Sequence, residues 1–205
     1  MKVLKLALAI LSTAVLAACG SAKDASKSNF EGAINKHFAE DCTPLSFGFG
    51  QLTGVKGTDH GYPVIVRDTN YALQPNTAAR AAFDALAKAG LLTAKPAQIP
   101  SSGHEPETGT AYALTEKGKQ SLVRPGSVSF CVGHRRVDEV VQFSEPSDGL
   151  GQTMSAATYT YTVVDVPEWA NDPAVRAAFP SLNQLLEPHQ KAQATMVLMN
   201  DGWSM

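Results

Sequence analysis

Residues 158–166 read Thr-Tyr-Thr-Tyr-Thr-Val-Val-Asp-Val. Tyr159, Tyr161 and Val163 fall on one face of an extended chain, and Thr160, Thr162 and Val164 on the other. Tyrosine, threonine and valine at a period of two make a strand. Residues 191–200 repeat the pattern, with Ala192, Ala194, Met196 and Leu198 set against Gln193, Thr195 and Val197. Ser127–Gly133 and Asp138–Phe143 are expected to form a hairpin turning across His134-Arg135-Arg136. Between these strands, Asp172-Pro173 is a cap followed by proline in the first turn. Val175, Ala178 and Phe179 would form the inner face of that helix, Pro180 would stop it, and 181–187 would add a turn or two. A small antiparallel sheet crossed by helices is an α+β arrangement. Hydrophobic residues make up 44% and charged residues 18%, with a formal charge of −2, which excludes a disordered chain. Nucleic-acid binding in bulk needs a basic surface that this balance does not supply.

The first half is mixed. Ser28-Asn29-Phe30-Glu31 has the spacing of a capping box, and Phe30, Ala33, Ile34 and Phe38 recur at helical spacing over 29–40. Residues 62–67 predict a short strand, and 77–89 a helix lined by Ala79, Ala82, Phe83, Leu86 and Ala87 and ended by Gly90. The Pro-, Gly-, Ser- and Thr-rich stretch 94–110 reads as a loop, followed by a strand and turn over 111–118. A helix ending Ala89-Gly90-Leu91-Leu92, then Tyr112, Leu114, Thr115 and Gly118 in the pattern of a wing, resembles a winged helix. That resemblance implies a DNA-reading helix, but Arg80 and Lys88 beside Asp84 give it a weak electrostatic footprint. So weak a footprint leaves few phosphate contacts, and no nucleic-acid partner is expected.

Export is written at the start. Lys2 and Lys5 precede an apolar run from Leu6 to Val15 broken only by Ser12 and Thr13, the layout of a secretory signal. The run is too short to span a bilayer, which takes about 20 residues. Leu16-Ala17-Ala18-Cys19, followed by Gly20 and Ser21, resembles the lipobox of bacterial lipoproteins. The resemblance implies cleavage before Cys19 and acylation of its sulfur and its new amine, an anchor above the two-signal threshold for stable membrane attachment. Residues 1–18 are then the signal peptide, 19–28 a lipidated tether, 29–124 the winged-helix-like region and 125–205 the β-rich region. In a Gram-negative cell, Gly20 after the lipidated cysteine lacks the Asp that retains such proteins in the inner membrane. That implies the periplasmic face of the outer membrane.

Setting Cys19 aside leaves Cys42 and Cys131. An even count in an exported chain suggests a disulfide, the alternative being two buried thiols. Closing a loop of roughly 90 residues is worth about 4–5 kcal/mol in the chain-entropy model.

No catalytic or metal set emerges. The histidines His37, His60, His104, His134 and His189 form no His-x-x-x-His pair, and neither a nucleophile elbow nor a phosphate-binding loop is present. His104-Glu105 reads as a solvated loop pair. His134-Arg135-Arg136-Val137-Asp138-Glu139 is the densest polar segment, a solvated turn or a docking patch in which Arg135 and Arg136 offer bidentate donors. Trp169 and Trp203 are expected in core or sheet-edge packing, with an exposed aromatic anchor as the alternative.

The second half also resembles small bacterial lipoproteins labelled CpmK-like, through Phe130-Cys131-Val132-Gly133, Val166-Pro167-Glu168-Trp169-Ala170, Ala178-Phe179-Pro180 and Asn200-Asp201-Gly202-Trp203. That likeness implies an antibiotic-related or envelope role and no assigned chemistry. Three functions follow as expectations. The first is a non-catalytic, cofactor-free binding module anchored in the envelope, facing an unidentified protein or ligand. The second is a carbapenem-protection lipoprotein. The third is an envelope hydrolase or metalloenzyme using dispersed residues such as Asp59, His60 and His104.

Overall fold

A computed structural model describes residues 21–69, 74–99, 106–149 and 151–205. The lipobox and the His104-Glu105 pair lie outside these residues. The elements run α1 (Lys27–Glu40), α2 (Phe49–Leu52), β1 (Val55–Lys56), β2 (Val64–Arg67), α3 (Thr77–Lys88), β3 (Leu92–Ile99), β4 (Glu107–Leu114) and α4 (Glu116–Gln120). They continue β5 (His134–Phe143), β6 (Ser147–Gly149), β7 (Gln152–Val164), α5 (Pro173–Ala178), α6 (Pro180–Leu185), β8 (Gln190–Met199) and β9 (Gly202–Ser204). Every strand pair is antiparallel, so the fold is α+β.

Two sheets organise two cores. The first has the order β1-β2-β4-β3; the second runs β5-β7-β8-β9, with β6 also paired to β7. Against the first sheet packs α3, and against α3 packs α5 of the insert, the shared core burying Phe83, Leu86, Tyr112, Phe130, Trp169 and Phe179. Against the second lies α1, whose Phe30, Ile34 and Phe38 are wholly buried with Val140, Tyr159 and Met196. Phe30 stands edge-on to Phe143 and Trp203, with ring centroids 5.0 and 4.8 Å apart, the favoured geometry for aromatic pairs.

The chain crosses between these cores repeatedly. It starts in the second with α1, enters the first at Leu45 and returns at β5. After β7 it leaves again for the insert, where Asp172 Oδ1 accepts from the amides of Ala174 and Val175 and so caps α5. It comes back as β8, which pairs with β7. The insert is thus an excursion between two neighbouring strands that completes the other core.

Four sequence expectations differ from the structure. Residues 94–110, expected as loop, lie largely in the hairpin of β3 and β4, which pair from Leu92 with Leu114 to Ile99 with Glu107. β3 is an edge strand buried only at its two ends, so it has no apolar alternation. Pro96 is tolerated there because one side of an edge strand has no partner for an amide. The hairpin across His134-Arg135-Arg136 is absent, because all three residues belong to β5, which pairs with β7. The cap of α1 is Ser26, whose hydroxyl accepts from the Asn29 amide, rather than Ser28.

The fourth is the tether. Within 19–28, residues 21–26 form a bonded turn. Ser21 donates its amide to Asp24 Oδ2 at 2.7 Å, and Asn29 Nδ2 donates to the carbonyls of Ser21 and Asp24 at 2.9 and 2.8 Å. Trp203 Nε1 donates to the carbonyls of Lys23 and Asp24 at 3.2 Å. Small polar residues build turns as readily as tethers, and the indole that decides between them comes from the other end of the chain.

Candidate functional site

Cys42 and Cys131 form a disulfide with their Cα atoms 5.7 Å apart. Its position explains its use. Cys42 follows α1 of the second core and precedes Leu45 of the first; Cys131 lies between Phe130 of the first and β5 of the second. The backbones beside it are laced together, Thr43 donating to Gly133, Val132 to Thr43 and Leu45 to Phe130, at 2.8–2.9 Å. The bridge therefore clamps two crossings at the junction of the cores. Gly133 is part of that junction. Its φ is +131°, and an added Cβ would collide with the carbonyl of Val164, so only glycine fits.

The strand that leaves this junction carries the predicted patch. Because successive side chains of a strand point to opposite faces, β5 separates the two arginines. Arg135 pairs in register with buried Val163, and its guanidinium sits 4.3 Å from the centre of the Phe38 ring on α1. Arg136 is exposed opposite Thr162 on the outer face. Among the described residues no carboxylate lies within ion-pair distance of either. Asp138, the nearest acid in sequence, is engaged elsewhere. Its Oδ2 accepts from the Thr162 hydroxyl at 2.9 Å and lies 3.1 Å from His189 Nδ1. The His189 amide in turn donates to Thr162 Oγ1 at 3.2 Å.

Sequence reasoning missed His189 and Thr162 as members of this cluster. The one local signal for His189 is its place after Pro188 at the entry to β8. Its φ of +57° lies in the left-handed region, uncommon outside glycine though less so for histidine. The arrangement is a histidine oriented by a buffered carboxylate with its other ring nitrogen directed away from that bond. Thr162 donates to the carboxylate rather than to the imidazole, so the three do not line up as nucleophile, base and orienter. Where α1 meets the start of β5, a cleft of about 490 Å3 is bordered by Asn35, Ala39, His134, Arg135, Arg136 and Asp165. The outer face continues as polar rungs in which Glu139, Thr160 and Lys191 align, and Gln193 Nε2 donates to Thr158 Oγ1 at 3.2 Å.

The edge of this strand is partly closed, since the Val137 amide donates to Asn35 Oδ1 of α1 at 2.9 Å. That bond satisfies a group that an open edge would offer to another strand.

The remaining candidates separate. Asp59 and His60 share one short helical turn, Thr58–His60. Among the described residues no three His, Cys, Asp or Glu side chains converge as a metal set. Trp169 is buried edge-on to Phe130 in the first core, and among the described residues its indole nitrogen has no hydrogen-bond partner. Trp203 packs on Phe30 at the sheet edge, so both tryptophans serve packing. Arg80 of α3 is occupied, bonded to Asp68 at 3.2 Å, beside Asp84 and bonded to Thr110. Tyr112, wholly buried, donates its hydroxyl to Asp84 at 2.5 Å. Burial, then that bond and the Asp84 charge, push its phenol well above the usual range, with Arg80 opposing.

Comparison of the chain with protein-family models, curated proteins and solved structures returned no match.

Proposed function

We propose that this chain is a lipid-anchored protein of the cell envelope that works as a non-catalytic binding module. The observation that carries the reading is the lipobox Leu16-Ala17-Ala18-Cys19 in a chain whose other two cysteines are bridged. Disulfides persist in oxidising compartments and are rare in the cytosol, and a signal peptide delivers a chain to such a compartment. Cys19 would be the acylated residue, and in a Gram-negative cell Gly20 favours the outer membrane.

The binding surface in this reading is the outer face at the start of β5. Arg136 is exposed there and, among the described residues, without an ion-pair partner; it is opposite Thr162, which bonds Asp138. A winged-helix-like arrangement within 29–124 belongs to the same reading, supported by α3 preceding the β3–β4 hairpin with β2 as a third strand. With Arg80 held by Asp68 and Thr110, α3 has little left to contact phosphate, which supports a scaffold without nucleic-acid binding.

The test is metabolic labelling with an alkyne fatty acid. The parent chain should be marked and Cys19→Ala should not; equal labelling of the two defeats the reading.

A further inference from the structure

We infer that the lipid anchor holds the second core against the bilayer, with the turn at 21–24 and the β8–β9 hairpin as the membrane-facing surface and the first core held away from it. The inference rests on the acylation of Cys19 proposed above.

Cys19 precedes Ser21 by two residues, a reach of at most about 7 Å for an extended chain. A long tether would let the protein tumble above the membrane; this one does not exist, because the chain is already fixed at Ser21. The turn is bonded to itself and to Asn29, and Trp203 Nε1 grips its two carbonyls. Gly202 lies so close to Ala22 that an added Cβ would stand 3.1 Å from the Ala22 carbonyl. The described chain that the anchor would pull on, from Ser21 onward, is therefore part of the second core's edge.

The geometry beyond that point sets the direction. α1 begins at Lys27 beside this turn and ends at Glu40, just before the bridged Cys42 at the junction of the cores. A helix of 14 residues is about 21 Å long. The anchor and the junction thus sit at opposite ends of a rigid rod. The surface near the anchor suits a lipid interface. Met199, 48% exposed, stands at the hairpin, and Lys23 and Lys27 are exposed on the neighbouring turn and helix start. Asp24 and Asp201 are exposed there too, so charge is mixed and the short reach, not attraction to anionic lipid, sets the orientation.

The acylated full-length chain in nanodiscs of zwitterionic lipid, doped with a nitroxide-headgroup lipid, tests this by amide line broadening. Mass spectrometry of the same sample reports whether Cys19 carries acyl chains. Broadening should concentrate at Ala22, Lys23, Met199 and Asp201 and spare Lys95 and Gln98 of β3. Inserting a 20-residue Gly-Ser segment between Gly20 and Ser21 should keep acylation and cut the contrast between the two sets at least two-fold. An acylated chain broadened equally in both cores, or one whose contrast survives the insertion, overturns the orientation while leaving the anchor intact. A chain without acyl groups on Cys19 removes the anchor and the orientation with it.

Discussion

The two cores are built by different means. In the second, one helix lies on an antiparallel sheet, and β7 and β8 bury residues at a period of two, while β5 is bulged so that Val137 and Val140, three apart, both face inward. The first is assembled from short strands, an edge strand buried only at its ends, and helices supplied from both halves of the chain. The second core needs the N-terminal α1, and the first needs an insert from between β7 and β8. Neither is a continuous stretch. The lesson is that the crossings, rather than either sheet, tie the molecule together, and the disulfide clamps two of them.

The sharpest way to break this comparison is to remove the clamp. Cys42→Ala with Cys131→Ala should cost roughly 4–5 kcal/mol if loop closure dominates. Denaturant unfolding followed in Trp169→Phe and Trp203→Phe backgrounds reports each core by its remaining tryptophan. The two transitions should move together. Separate midpoints would show that the cores unfold independently and that the crossings do not couple them. With the bridge intact and Cys19 removed, a denatured, unreduced sample should show no reactive thiol.

Next in size are the cores themselves. Phe30→Ala empties the site between α1 and Trp203, and Phe83→Ala the stack of Phe47, Phe83 and Tyr112. Each should lose about 3–5 kcal/mol. A loss under about 1 kcal/mol at either site, measured by denaturant midpoint at constant m, would show that this aromatic cluster does not hold its core.

The difference between the cores also explains what could be read from sequence. The strands expected at 158–166 and 191–200 were legible because a half-buried strand writes its period into the residue order, although β7 starts at Gln152, ahead of the residues that alternate most clearly. The helix at 77–88 was legible because Ala79, Ala82, Phe83 and Leu86 share one face. β3 was hidden because an edge strand with mostly exposed side chains has the composition of a loop. The hairpin placed at His134-Arg135-Arg136 failed because the true partner of β5 is β7, twenty or so residues on, and turn residues do not encode pairing at that distance. Cys42 and Cys131 were legible by counting. The cluster of Asp138, Thr162 and His189 was not, since it joins three strands' worth of chain through hydrogen bonds that no local pattern records.

A smaller effect is alkaline and centres on Tyr112. The buried Tyr112 phenol of the first core is raised, so the folded state holds its proton after the unfolded chain, with an ordinary value near 10, has begun to release it. The contribution is complete below about pH 10 and is lost as pH rises toward the folded value, at about 1.4 kcal/mol per pH unit. Tyr112→Phe should therefore show a shallower decline in stability above pH 10 by about that slope, although it starts lower for want of the Asp84 bond. An identical alkaline slope in parent and variant would mean the tyrosine ionises without unfolding.

The smallest effect concerns the two arginines, which the sequence presents as one patch and β5 divides. Arg135 lies over Phe38, so Arg135→Ala loses a cation–π contact and the packing of its stem and should cost about 0.5–1 kcal/mol. Arg136 is exposed and, among the described residues, has no carboxylate partner, so Arg136→Ala should change stability by less than about 0.5 kcal/mol. Melting curves of the two single variants check the asymmetry, and equal losses would place both side chains in the same environment. Partner capture after cross-linking in cells should show the reverse order. Arg136 keeps its donors for a carboxylate or phosphate, whereas Arg135 spends its face on the ring. Capture that falls with Arg136→Ala while melting holds steady assigns the outer face to binding. Capture unchanged in both variants removes this end of β5 from the binding surface, because a merely stabilising arginine would have shown itself in the melting curve alone.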